Sequence, residues 1–490
     1  MVTRIVSTAA REAARSTPRR AVGKASRMAT GMLGLAGERM SKVDTAWLRM
    51  DSDHNLMMIL GVWTLRPGID HDDLCRRVEE RLLKYPRFRQ RVVEDAAGAT
   101  WVDDGALDVR EMVVREKLPR GRKQSAQDAL QARVGELAMQ PLDRKRPLWQ
   151  IHLVEDYEGG SALIVRIHHC IADGIALISV TMSLVDGGAA PPERKRRGAA
   201  QGADDWIAET LLRPLTDVTL KALDVLGDSP VEVAKLAYQV LSDAAALALM
   251  PDDSKTRLKG QPIGRKRVAW CEPLPLDEVK AVGRALNCSI NDVLLSCVAG
   301  ALGEYLRAQG DEVKGQEIRA MVPVNLRPMD QAHKLGNRFG LVPLVLPIGI
   351  ENPVERVYEA RRRMNALKGS TQPLLAFCVL TLAGLLIKPA QDAIMGLFGN
   401  KTTAVMTNVP GPRDKLKFLG STLEQTMFWV PQSGNIGLGV SILSYGGGVQ
   451  FGVITDAGLC PQPQKIIDEF VPEFARLSLV TLMLPWGDEG

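Results

Sequence analysis

The stretch Ser161–Val185, SALIVRIHHCIADGIALISVTMSLV, decides how the rest of the chain reads. It opens as a strand. Leu163, Val165, Ile167 and His169 fall on one side of a period-two pattern, with Ile164, Arg166 and His168 on the other. Adjacent histidines on a strand point to opposite faces, so only one of them can face a common channel. Parity puts His169 with the apolar row. Asp173-Gly174 then breaks the strand, and Leu177, Ile178, Val180, Thr181, Leu184 and Val185 follow at helical spacing.

A neutral imidazole beside a carboxylate is equipped to take a proton near neutral pH. The unperturbed histidine pKa is about 6.5, and a positioned base contributes roughly 10²–10⁴ in rate. The carboxylate can also decide which ring nitrogen keeps its proton. Two plainer readings compete: histidines packed in a core, and histidines that bind a metal. The metal reading lacks partners, because the chain has no Cys-x-x-Cys or His-Glu-x-x-His cluster, and no metal is expected.

His168-His169-Cys170-Ile171-Ala172-Asp173-Gly174 fits the HHxxxDG signature of acyltransferases with the chloramphenicol-acetyltransferase-like fold. Pro147-Leu148-Trp149 resembles a PLW motif, Asn291-Asp292 an ND motif, and Asn408-Val409-Pro410-Gly411-Pro412 and Gly336-Asn337 further segments of one family. On these residues the chain most closely resembles the bacterial wax ester synthase/diacylglycerol acyltransferase family, over roughly residues 41–480. The resemblance implies an α/β fold of mixed sheets: two chloramphenicol-acetyltransferase-like domains joined by a helical linker, with an active-site tunnel at their interface.

The implied activity is O-acyl transfer from a fatty acyl-CoA to a long-chain alcohol or a diacylglycerol. The products are wax esters or triacylglycerol, with no acyl-enzyme, and acyl-CoA is a co-substrate rather than a bound cofactor. Within that resemblance His169 is the general base and His168 a supporting motif residue. Asp173 is a structural carboxylate that points away from substrate and holds the loop through an arginine elsewhere, and Gly174 lets the backbone turn closely. Asn291, beside Asp292, supports the acceptor hydroxyl or the developing oxyanion. Ser289 and Asp292 also have capping-box spacing, so a purely helix-capping reading of the ND pair stands with equal weight. Pro147, Leu148 and Trp149 offer apolar surface to an acyl channel, with core packing as the competing reading. Two other functions remain open: a noncatalytic lipid-binding protein of the same fold, and a condensation-type acyltransferase using carrier-bound acyl groups.

A length of 490 residues accommodates two domains, and 46% hydrophobic with 24% charged residues is not the composition of a multi-span membrane protein. The net charge of +5 suits weak attraction to anionic lipid or to the phosphates of a nucleotide carrier and identifies neither. Seven widely spaced cysteines, an odd number, read as buried thiols in a reducing cytoplasm.

The divisions expected are a basic extension (1–40), a domain carrying HHxxxDG (41–186), a linker with bridging helices (187–262) and a second acyltransferase-like domain (263–490). Residues 1–40 lack the apolar core of a secretory signal; they read as a solvated tail or as a basic segment lying on an anionic membrane. The basic run Glu193-Arg194-Lys195-Arg196-Arg197 has no interleaved aromatics, which argues against a nucleic-acid partner. Residues 374–387 form the most apolar run, shorter than the roughly twenty residues a span needs. A buried helix and a patch that dips into a lipid surface are its two readings. The expected location is cytoplasmic, peripherally attached to the inner membrane or to lipid inclusions. The chain has no Gly-x-Ser-x-Gly elbow, phosphate-cradling P-loop or strand-linked Gly-x-Gly-x-x-Gly, which excludes the common serine hydrolase, nucleotide hydrolase and dinucleotide-binding classes.

Overall fold

The computed structural model describes residues 37–95, 98–119, 121, 123–189, 250–326, 335–367, 388, 391, 396 and 399–483. Residues 1–36 of the basic extension, most of the linker and the apolar run 374–387 lie outside the described residues; the last residues of the extension, Gly37–Arg39, are not a tail but a strand paired with Thr100–Val102.

The first half runs β1 (Gly37–Arg39), α1 (Lys42–Arg49), β2 (Met58–Arg66), α2 (His71–Glu80), β3 (Gln90–Asp95), β4 (Gly98–Asp103), α3 (Val109–Met112), β5 (Val113–Glu116), α4 (Ala126–Leu137), β6 (Trp149–Tyr157), β7 (Gly160–His168) and α5 (Gly174–Leu184). The second half has strands and helices in this order: β8 (Lys266–Trp270), β9 (Leu274–Pro275), α6 (Leu276–Ala285), α7 (Ile290–Ala308), β10 (Ile318–Asn325), β11 (Phe339–Leu346) and α8 (Pro353–Leu367). It ends with β12 (Ala404–Pro410), β13 (Lys417–Phe418), β14 (Ser421–Trp429), β15 (Leu438–Tyr445), β16 (Gly448–Asp456) and α9 (Gln464–Leu482).

Each half is built on one large mixed sheet. The first has the order β13-β14-β2-β7-β6-β5, and the second β11-β10-β12-β15-β16-β8 with β9 also on β16. β1, β4 and β3 make a third, small sheet. The expected division near residue 262 therefore does not separate the sheets. β14, from the second half, pairs antiparallel with β2 from Thr422↔Arg66 to Trp429↔Leu60 and so completes the first sheet.

β7 lies between β2 and β6, paired Met58↔His168 and Trp149↔Ile167. Both of its faces are covered, which is why β2 and β7 read as nearly continuous apolar runs. Ile59, Trp63, Ile151 and Leu163 pack toward α1, α2 and α5. Met58, Leu60, Val62 and Ile164 pack on Leu130, Val134 and Leu137 of α4, and on Trp270, Trp429 and Ile454 from the second half. A second core joins α6–α9 to the other sheet. Among the described residues no single helix is long and apolar enough to cross a membrane.

One expected element is shorter than its sequence pattern. Spacing suggests a helix from Asp72 to Tyr85, but α2 stops at Glu80, and single turns follow at Leu82–Lys84 and Pro86–Phe88. Pro86 disfavours a helical residue before it, and Tyr85 is extended at φ −82°, ψ 119°.

Candidate active site

β7 ends at His168, and His169 carries the ladder one residue further, its N–H donating to Met57 O at 2.7 Å. The two histidines face different surroundings, as strand alternation requires. His168 has both ring nitrogens engaged. Nδ1 accepts the Cys170 N–H at 3.2 Å, so Nε2 holds the proton and points it between the two Asp51 oxygens, each 3.3 Å away. Burial pushes the Asp51 pKa up, but the hydrogen bond and charge of His168, the Met57 N–H and Arg144 outweigh it and hold the carboxyl below its ordinary range. His168 is thereby a fixed donor with no free lone pair.

His169 sits between aromatic rings. Its imidazole stacks on Trp47 with centroids 4.2 Å apart and planes 16° from parallel, and Phe339 lies at 5.5 Å. The residue is 3% exposed. Burial lowers its pKa to about 4 against the pull of its own carbonyl; His168 adds to the lowering and the Asn337 side chain opposes it. The ring is therefore neutral near pH 7 and has a lone pair to offer.

The loop after His169 is pinned by Asp173. One carboxylate oxygen caps α5 by accepting the Ala176 N–H at 3.0 Å, and the other accepts the main-chain N–H of Arg338 at 3.0 Å. Main-chain bonds from Asp173 N to Gly336 O and from Gly336 N to Ile171 O close the junction. Gly174 needs a correction. It is the first residue of α5, its φ is not left-handed, and a Cβ there would meet nothing within 4 Å, so no close turn requires glycine. It lines a cavity instead, and the missing side chain leaves that cavity open.

This cavity, about 170 Å³, lies between the halves. Its walls include Gly61, Trp149, Val165 and Ile167 from the first sheet, Leu177 from α5, and Val409–Pro412 from the second half. The His169 ring is not in the wall, but Ile167 and Gly174, on either side of it along the chain, are. Of the PLW residues only Trp149 lines this space, with its Nε1–H donated to Phe88 O at 2.7 Å. Leu148 is core, and its carbonyl accepts the His168 N–H at 2.9 Å; Pro147 borders a separate polar cleft. Asp292 forms a capping box with Ser289 at the start of α7. Asn291 accepts from the Asn408 amide at 2.7 Å, which ties the ND pair to the Asn408–Pro412 segment of the cavity wall. Cys170 is fully buried and its thiol pKa is pushed well up, so it is no thiolate. Among the described residues no cluster of His, Cys, Asp or Glu is arranged to hold a metal ion.

Comparison with known proteins decides the family. The model of the wax ester synthase/diacylglycerol acyltransferase catalytic domain matches residues 40–294, and that of the WS/DGAT C-terminal domain matches residues 335–478. The chain belongs to the wax ester synthase/diacylglycerol acyltransferase family. It is an acyltransferase of that type. A probable diacylglycerol O-acyltransferase of Mycobacterium tuberculosis is 28% identical over 454 residues, covering 90% of this chain and 96% of the relative. The fold is that of the wax ester synthase/diacylglycerol acyltransferase from Marinobacter aquaeolei, with a TM-score of 0.65 at 21% identity over 91% of this chain and all of that one. The first condensation domain of the CDA synthetase shares it at a TM-score of 0.56 and 16% identity, covering 90% of this chain and 96% of that domain.

Three residues of this WS/DGAT site carry no motif in the sequence: Asp44, joined to Asn337 by two hydrogen bonds, Trp47, the platform under His169, and Asp51, which anchors His168. Asn337 belongs to the Gly336-Asn337 segment, which carried no assigned role. One signal was available: Asp44, Trp47 and Asp51 stand at i, i+3 and i+7, so two carboxylates and a tryptophan share a helical stripe in an apolar stretch.

Proposed function

We propose that this enzyme moves a fatty acyl group directly from acyl-CoA to the hydroxyl of a diacylglycerol or long-chain alcohol, with His169 as general base. The observation that carries this reading is a buried imidazole stacked on Trp47, on a loop pinned by Asp173, with Ile167 and Gly174 on either side of it lining an apolar cavity. Nε2 takes the hydroxyl proton while the oxygen attacks the thioester carbonyl. The C–S bond breaks, and the departing thiolate of coenzyme A recovers the proton from the imidazolium. The stacked Trp47 face favours that short-lived cation, as aromatic faces favour cations generally. Asn291 and Asp292 hold the second-half wall rather than touching substrate, through Asn408 and the α7 cap.

The names of the similar mycobacterial proteins favour a diacylglycerol acceptor. Because both lipid substrates are insoluble, we place the work at the cytoplasmic face of a membrane or lipid inclusion. The test is a radiolabelled acyl-CoA assay with the purified full chain and each acceptor in turn. Labelled triacylglycerol or wax ester is expected. No labelled neutral lipid from either acceptor overturns the reading in favour of a lipid-binding protein.

A further inference from the structure

The cavity beside His169 has a floor and a roof that run the same way. One face of the first sheet is the floor. Ile59 and Ile167 pair in its first row, Gly61 and Val165 in the second, and Trp63 and Leu163 in the third; all six line the space. The next pair on that face, Leu65 and Ser161, is buried outside the wall, so the floor ends at the Trp63 row. α5 is the roof. Gly174 stands at the His169 end, and Leu184, at the other, accepts a hydrogen bond at its carbonyl from Arg77, which also lines the space.

The far end is closed by a stack of three side chains. Trp63 meets Phe418 of β13 edge-on, with ring centroids 5.5 Å apart, and the Arg77 guanidinium lies 5.6 Å from the Phe418 centroid. Asp186 holds Arg77 at 2.9 Å and accepts the Leu419 and Gly420 N–H groups at 3.2 and 2.8 Å, so the guanidinium is neutralised and the turn after Phe418 is fixed. Six residues separate Leu163 from His169, a rise of about 20 Å at about 3.3 Å per residue. α5 gives a shorter measure, about 15 Å from Gly174 to Leu184 at about 1.5 Å per residue. A straight hydrocarbon with bonds of about 1.5 Å advances about 1.25 Å per carbon, so these lengths hold about sixteen and about twelve carbons. A longer chain must bend or force the indole aside, and a packed interior resists both.

We propose that Trp63, backed by Phe418 and Arg77, limits the acyl chain taken from acyl-CoA to about sixteen carbons. That the chain is the donor's rests on the acyl-transfer reading above; the length limit rests on the cavity. The test compares initial rates and binding of lauroyl-, palmitoyl-, arachidoyl- and lignoceroyl-CoA for the full-length wild type, Trp63→Ala and Phe418→Ala, with one acceptor. From palmitoyl to arachidoyl the wild-type rate should fall about 10-fold or more, and its affinity should stop rising. Either folded variant should raise the arachidoyl-to-palmitoyl rate ratio about 10-fold, and Phe418→Ala serves if loss of Trp63 prevents folding. A wild type that takes lignoceroyl-CoA as well as palmitoyl-CoA overturns the proposal, as do folded variants that keep the wild-type ratio. So does a limit that follows the acceptor's length when alcohols are varied at fixed palmitoyl-CoA. Binding reads the limit without turnover, so an inactive wild type with the same break in affinity would refute acyl transfer and leave the limit standing.

Discussion

His169 is the residue on which function and stability meet. Its pKa near 4 lies below the roughly 6.5 of an exposed imidazole, so between those values the unfolded chain binds a proton that the native one does not. The stability its neutral burial contributes is fully present above pH 6.5 and is lost as pH falls toward 4, by about 3 kcal/mol in all. Urea unfolding of the wild type should therefore weaken more steeply from pH 7 to pH 4.5 than that of His169→Ala; equal slopes would contradict a buried neutral ring. The same shift moves the acid limb of turnover below pH 5. At this scale, which histidine faced the apolar row was readable from alternation alone. The partners were not, because Asp44 and Asn337 lie 293 residues apart and Asp51 and His168 lie 117 apart, and nothing local marks them as neighbours.

Among the elements, α5 and the motif loop depend on both oxygens of Asp173. Asparagine in its place offers one acceptor, so either the Ala176 or the Arg338 N–H loses its partner. Asp173→Asn should cost about 1–3 kcal/mol, lowering Tm and activity together. Lost activity at unchanged Tm would instead give the carboxylate a direct chemical role. β2 carries a second test. Gly61 lines the cavity, and a Cβ there would sit 3.6 Å from Val165 Cβ, an ordinary contact. Gly61→Leu should leave the fold intact and slow transfer from palmitoyl-CoA far more than from octanoyl-CoA. Equal rates would mean that this space does not hold the acyl chain. Capping and strand pattern made most elements readable, the Ser289–Asp292 box among them. The end of α2 at Glu80 was not legible, because Leu82, Leu83 and Tyr85 keep an apolar pattern through the separate single turn that follows.

For the whole molecule, the decisive feature is that β14 crosses to the first sheet and the cavity is walled by both halves. Two sheets and a site between them followed from the motif resemblance. The crossing did not, since Ser421–Trp429 has a strand pattern that would suit either sheet, and its partner β2 lies some 360 positions earlier. The histidine loop is bonded to the Asn337 loop, and Gly174 at its end shares a cavity wall with Val409–Pro412. What this arrangement serves is proton removal by a single imidazole. The direct measurement is the initial rate of acyl transfer from labelled acyl-CoA by wild type and by His169→Ala, at a temperature where both are folded. A loss of about 10²–10⁴-fold is expected; turnover close to wild type would return His169 to the hydrophobic core as a packed residue with no part in the chemistry.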